Sequence, residues 1–303
     1  MYDVVIIGAG PAGLTACLYA LRSRLNVLLV EKMQVGGGLG YIEKLENYPG
    51  FPEGINGLEF AGAIQNQLKK YDFKFTQKEI KSIKQDSDLL FNLDAEGENI
   101  ITKAVIIATG ATPKKLGIPG EERFAGKGVS YCAVCDAPFF KDKEIVVIGG
   151  GNTALEESLY LTKFASRVTI VHRRNAFRAD KIVQERVHKN EKIELVLDAV
   201  CDEIQGETFV AGTKLKFKDG REKLIPCSGV FIFAGMKPET GFLEGLLEVD
   251  ESGQIITDEK MQSSVKGVFV CGDCRRVPLR QVITACGEGA IAAYSAGKYI
   301  EEF

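Results

Sequence analysis

At 303 residues the chain is long enough for about two domains, each able to bury an apolar core of its own. A hydrophobic share of 45% beside 26% charged residues excludes a fibrous or largely disordered protein. The net charge of -3 gives no general attraction to nucleic acid or to an anionic membrane surface.

The sequence opens directly into an apolar run, Asp3 to Ile7, with no basic stretch, hydrophobic segment or small-residue cleavage site before it. No run reaches the roughly 18 apolar residues of a membrane span, so a cytoplasmic protein with no membrane partner is expected. The run reads as a strand, and Gly8-Ala9-Gly10-Pro11-Ala12-Gly13 follows it as a turn into an amphipathic helix over Leu14 to Leu21. A second strand, Asn26 to Val30, ends in Glu31. This is a βαβ unit with an acid about 20 residues beyond the loop, the distance at which a carboxylate bonds a ribose hydroxyl. The alternative is a glycine turn with no ligand.

Ala104 to Thr109 reads as a buried strand running into Gly110 and Pro113. Cys132 and Cys135 follow, with Asp136 directly after them. Their spacing suits a metal site or a redox disulfide. Zinc needs about four ligands, and the other close pair, Cys271 and Cys274, brackets a Gly272-Asp273 turn with a different role, so no metal is expected. A redox pair needs one thiolate to attack and one to resolve, which a two-residue spacer at a helix start provides. Asp136 is then a candidate to give and take the thiol proton, its alternative being a helix cap or a solvated turn residue.

The first pattern recurs as strand Glu144 to Ile148, loop Gly149 to Ala154 (with Gly151, Asn152 and Thr153), a helix from Leu155 and strand Arg167 to Val171. Here the closing strand runs into His172, Arg173 and Arg174, with Arg178 beyond. Guanidinium forks bond phosphate bidentately, so this unit is expected to take a ribose bearing a 2′-phosphate, selecting NADPH over NADH. A solvated basic turn is the alternative. Proline and polar residues near Thr112-Pro113 and near Met236 to Thr240 mark linkers. The expected architecture is α/β, with two Rossmann-like three-layer nucleotide-binding domains. Residues 1–113 and 245–303 form one, and 114–244 form a second inserted into it.

These motifs together resemble the low-molecular-weight, bacterial-type thioredoxin reductases. The likeness rests on Gly8-x-Gly-x-x-Gly13, Glu46-Asn47-Tyr-Pro-Gly50, Ala108-Thr-Gly110, Cys132-Ala-Val-Cys135-Asp136, Gly149 to Ala154, His172-Arg-Arg-x-x-x-Arg178, Gly272-Asp273 and Arg280-Gln281-Val-x-Thr284-Ala285, in that order, and reaches about Ala293. It implies FAD at the first loop, NADPH at the second, a homodimer, and oxidised thioredoxin as substrate. The FAD set it implies is Gly8, Gly10, Pro11, Ala12, Gly13, Glu31, Lys32, Gly37, Gly38, Leu39, Asn47, Ala108, Thr109, Gly110, Gly272, Asp273, Arg280, Gln281 and Val282. The NADPH set is Gly149, Gly151, Asn152, Thr153, Ala154, His172, Arg173, Arg174 and Arg178. Cys135 is implied to lie nearest the flavin and Cys132 to attack thioredoxin, with the inserted domain rotating between two states. The chain departs from the family in carrying Gly38 where glutamine is usual, and cysteines around Gly272-Asp273. Reduction of a glutaredoxin-like or peroxiredoxin partner, or a redox sensor without turnover, are the rival functions.

Overall fold

The computed structural model describes residues 1–86, 90–243 and 245–303. Its helices are α1 (Pro11–Arg22), α2 (Gly57–Leu68), α3 (Ala133–Asp136), α4 (Asn152–Leu161), α5 (Lys181–His188) and α6 (Val282–Glu301). The chain divides into two compact units, residues 1–112 with 237–303, and residues 113–236.

In the first unit the β-branched runs make a parallel sheet in the order Lys74–Gln77, Val27–Glu31, Tyr2–Ile7, Glu98–Ile107. On its edge away from Tyr2–Ile7, the long strand Glu98–Ile107 serves two partners. Its first half pairs antiparallel with Phe91–Ala95, which in turn pairs with Ile80–Gln85, while its second half takes Val268–Val270 in parallel. One face of this sheet is covered by α1 and α6, whose Leu14, Ala16, Ala292 and Ala296 are buried with Val4, Ile6 and Ile106. The helices approach closely because α6 carries glycine at the crossing: a Cβ on Gly289 would stand 2.2 Å from the Ala12 carbonyl oxygen. Each large apolar side chain buried this way stabilises the fold by about 1.5–3 kcal/mol.

The second unit holds a parallel sheet in the order Ile193–Leu197, Arg167–His172, Glu144–Gly149, Gly229–Phe233, Val129–Ser130. Leu155 and Leu161 of α4 and Val183 and Val187 of α5 pack on one face. On the other face an antiparallel sheet of Ala199–Gly206, Val210–Phe217 and Glu222–Pro226 contributes Cys201, Ile204 and Leu215.

The segments that carry the chain between units, Ala111–Pro113 and Met236–Pro238, pair with each other as a two-stranded ribbon. The second crossing comes earlier than the expected 244/245 boundary, which itself falls on Glu244, outside the described residues. Residues 237–243 stay with the first unit because Glu239 is tied to it through its backbone. Its carbonyl accepts the Thr109 hydroxyl (2.7 Å) and its amide donates to the Gly110 carbonyl (3.1 Å).

Candidate active site

Cys132 and Cys135 are joined by a disulfide across the single turn of α3, with Cα atoms 5.4 Å apart. Cys132 caps the helix, its sulfur accepting the Cys135 amide at 3.0 Å. The Ser130 hydroxyl holds both backbone groups of Cys132, accepting its amide and donating to its carbonyl at 3.1 Å each. Cys132 is 8% exposed, whereas Cys135 is open to solvent. Asp136 ends α3, half-buried, and its amide donates to the Cys132 carbonyl at 3.3 Å.

Each glycine loop turns from a strand into a helix whose N-terminus no side chain caps. In the first, Gly8 sits at φ +102° against Ala108, and a Cβ on Gly13 would lie 1.8 Å from the Gly8 carbonyl oxygen. Gly10 is different, with nothing nearer to its Cβ position than the Gly36 oxygen at 4.0 Å. In the second loop a Cβ on Gly149 would meet Ala154 at 2.5 Å, while Gly151 faces open space. Each loop thus has glycines that let the helix pack on the strand and one that leaves its backbone approachable. An uncapped helix N-terminus beside an approachable backbone is a place for a pyrophosphate. Two such cradles and a disulfide occur in one chain, and residues 2–289 match the family model described as pyridine nucleotide-disulphide oxidoreductase.

The chain belongs to that family.

Among curated relatives it is 45% identical to a thioredoxin reductase of Peptoclostridium litorale over 309 residues, covering 100% of this chain and 98% of that one. It is 43% identical to a thioredoxin reductase of Listeria monocytogenes, covering 100% and 95%. A crystal structure of Lactococcus lactis thioredoxin reductase, described as in the FR conformation, superposes with a TM-score of 0.97 at 43% identity, with both chains fully covered. The family's two activities, use of a pyridine nucleotide and of a disulfide, correspond to the features above.

Many residues assigned to the first cradle do come together. Gly37 and Gly272 stand against Gly10 and Ala12, at 3.3 and 3.1 Å from their own Cβ positions, and Ala108 lies against Gly8 and Gly13. Asn47 donates to the Gln281 side chain (2.9 Å), and Thr284 accepts the Gln281 amide (3.1 Å) at the start of α6. Glu31 braces the loop as well as closing its strand, one oxygen accepting the Ala9 amide (2.7 Å) and the other the Met33 amide (2.9 Å). Burial pushes the Asp273 carboxyl above the usual carboxylate range, with Arg280 countering in part. Other assigned residues stand apart from this gathering. Leu39 and Val282 are core residues packed with Leu45 and Phe60. Lys32 pairs with Glu239 at 2.9 Å and Arg280 is exposed, whereas Thr109, though its hydroxyl is engaged by the Glu239 backbone, keeps its nitrogen 3.1 Å from the Gly8 Cβ position and so belongs to the gathering. Nothing lies within 4 Å of the Gly38 Cβ position, so there is open space beside it.

In the second cradle the loop and the basic segment meet. The His172 ring lies where a Cβ on Gly150 would be, the Arg178 amide donates to the Gly150 carbonyl (2.8 Å), and Asn152 exchanges hydrogen bonds with Asp180 (2.6 and 3.0 Å). Burial holds the His172 imidazole below its ordinary pKa, and the charges of Arg178, Arg173 and Arg174 around it add to that despite a bond to the Ala176 backbone. The three guanidinium groups are exposed.

The remaining cysteines are thiols in the core. Cys274 donates to the carbonyls of Cys271 (3.4 Å) and Ile107 (3.8 Å), and Cys201 shares a hydrogen with Thr213 (2.8 Å). Burial pushes the thiols of Cys17 and Cys227 up to about 12, which makes them unreactive. Among the described residues no cluster of His, Cys, Asp and Glu is arranged to hold a metal ion, and no helix is long and apolar enough to cross a membrane. Ser130, which bonds the Cys132 backbone, and the linked pair Tyr131 and Glu121 lie outside the motifs of the sequence. The one local signal for them is a pair of hydroxyl residues directly before the first cysteine.

Proposed function

We propose that the chain is a thioredoxin-disulfide reductase that carries electrons from NADPH through FAD and the Cys132–Cys135 disulfide to oxidised thioredoxin. The observation that carries this reading is the disulfide itself, set in the same unit as a nucleotide cradle flanked by three exposed arginines. When bound, FAD and NADPH supply hydride transfer and its conversion into dithiol chemistry. The residues fit both groups. Approachable backbone at Gly10 and Gly151 suits two pyrophosphates, and Arg173, Arg174 and Arg178 suit a 2′-phosphate. Asp273, raised by burial, gains from the hydroxyl donors of a ribityl chain.

The protein's own part begins when two electrons open the Cys132–Cys135 bond. Cys132 then attacks the thioredoxin disulfide, forming a mixed disulfide and expelling one thioredoxin thiolate. Cys135 attacks the Cys132 sulfur, which restores the internal disulfide and releases reduced thioredoxin. Asp136 gives and takes the proton at the sulfur. Cys132 is the buried member of the pair, so its attack on a protein needs a step that uncovers it. Rotation of the inserted unit about the linkers at Ala111–Pro113 and Met236–Pro238 is part of the same reading. A homodimer working in a reducing compartment completes the reading; six buried free thiols accord with such a compartment.

The test is NADPH oxidation by the purified protein, with and without oxidised thioredoxin, with NADH as the control donor and the extracted flavin identified by chromatography. Thioredoxin-dependent consumption of NADPH but not NADH is expected. A single flavin reduction without turnover would remove the acceptor from the reading, and a flavin that stays oxidised would remove the donor.

A further inference from the structure

Glu121 is 1% exposed, yet its carboxylate is held by uncharged donors. One oxygen accepts the Leu116 amide (2.9 Å) and the Tyr131 hydroxyl (2.6 Å), and the other accepts the Gly117 amide (2.7 Å). Burying a carboxylate costs several kcal/mol unless its lone pairs are satisfied, and here three donors meet them, so the ionised group is tied firmly to what surrounds it. What it holds is specific. Leu116 and Gly117 lie just inside the point where the chain enters the second unit, and Tyr131 is the residue before Cys132. The strand that leads to the disulfide, Val129–Ser130, has two residues and offers little ladder of its own. Side chains hold the segment instead. Ser130 binds the backbone of Cys132, and Glu121 anchors Tyr131.

We infer that Glu121, acting through the Tyr131 hydroxyl, is a positioning residue for the redox pair: it fixes the segment presenting Cys132 so that, once the disulfide opens, the Cys132 sulfur stays on the Cys135 amide. The inference rests on the reading that this pair is redox-active. A thiolate gains more from that amide than a disulfide sulfur does, because a hydrogen bond to a charged acceptor is roughly twice as strong. Holding Cys132 in register therefore stabilises the reduced, ionised pair. Freeing it makes the Cys132 thiol less acidic and shifts the couple toward the disulfide.

The experiment equilibrates the full-length, flavin-containing protein with glutathione buffers. One protein disulfide and two glutathione thiols exchange for two protein thiols and one glutathione disulfide. After an acid quench and alkylation, the oxidised fraction of the Cys132–Cys135 peptide is read by mass spectrometry. Tyr131→Phe and Glu121→Gln are each expected to shift this equilibrium three- to tenfold toward the disulfide, tenfold being about 30 mV for a two-electron couple. Both variants should also move the pH midpoint of Cys132 alkylation upward. The double variant should shift no further than either single one, since both act through one hydrogen bond. Folded variants with the wild-type equilibrium and alkylation profile, changed only in thermal midpoint, would overturn the inference and leave Glu121 as loop structure. A wild-type disulfide that does not exchange with glutathione at all would instead remove the redox reading on which it stands.

Discussion

The two nucleotide cradles share a strand, a glycine turn, a helix and a second strand, but they end differently. The first closes on Glu31, whose carboxylate turns back to hold the amides of Ala9 and Met33. The second closes on His172, buried under Gly150, with Arg173 and Arg174 left in solvent. An inward-turned acid braces its own loop and repels a 2′-phosphate; outward-turned guanidinium groups attract one. On the proposed function, the residues after the second strand, and not the glycines, therefore distinguish what each cradle selects. The glycines divide by role in both loops. Gly13 and Gly149 are packing glycines, while Gly10 and Gly151 leave backbone open.

The hardest way to break the pairing of the cradles into one electron path is to cut it at its end. Cys132→Ser or Cys135→Ser should reduce thioredoxin turnover to background while NADPH still bleaches the flavin absorbance. Loss of both in a folded, flavin-loaded variant would mean that the cysteines do not stand downstream of both cradles. Next in size is Gly13→Ala, which forces a Cβ to 1.8 Å from a backbone oxygen and should cost about 3 kcal/mol in urea denaturation, with flavin lost. Gly151→Ala meets no atom within 4 Å, so its melting temperature should stay at the wild-type value while KM for NADPH rises. Equal destabilisation of the two variants would erase the division between packing and open glycines.

Replacing Arg173 and Arg174 together by alanine tests the closing residues. A charge-assisted hydrogen bond is worth about 1.5–3 kcal/mol, so KM for NADPH should rise roughly 10- to 100-fold with little change for NADH. Equal losses for both donors would assign these arginines elsewhere. The smallest effect concerns Glu121. Burial raises its pKa, but the Tyr131 hydroxyl and the amides of Leu116, Gly117 and Ile118 outweigh this, so the carboxyl titrates below its usual range. A depressed folded pKa gives stability that is full above the unfolded value and fades as pH falls through the folded one. The stability gap between wild type and Glu121→Gln should thus be widest near neutrality and narrow in acid, below about pH 4. A gap constant with pH would mean that the carboxylate charge contributes nothing.

What was legible in the sequence is local. Glycine spacing, the strand before each loop, the acid or arginines after it and the two-residue spacer between Cys132 and Cys135 all act over short stretches, and the elements formed where those patterns stand. The antiparallel strands Ile80–Gln85 and Val210–Phe217 carry no such signature. Their apolar residues are interleaved with lysines on an exposed face, and pairing partners supply what periodicity does not. The link from Glu121 to Tyr131 is likewise invisible, because a buried carboxylate and a surface one have the same letter. Only the fold places its oxygens against the donors. The place of residues 237–243 is invisible for a similar reason: Glu239 joins the first unit through bonds to Thr109 and Gly110, about 130 residues away in sequence.

The insertion also sets an order on the ribosome. By residue 236 every part of the second unit has been synthesised, while the first still lacks strand Val268–Val270 and α6. Until those last residues emerge, the side of α1 that faces α6, including Ala12 and Ala16, has no cover, and the edge of Glu98–Ile107 that takes Val268–Val270 stands unpaired. The unit begun first is finished last, so a nascent chain stalled between 237 and 281 would present a completed disulfide module on an unfinished and adhesive base.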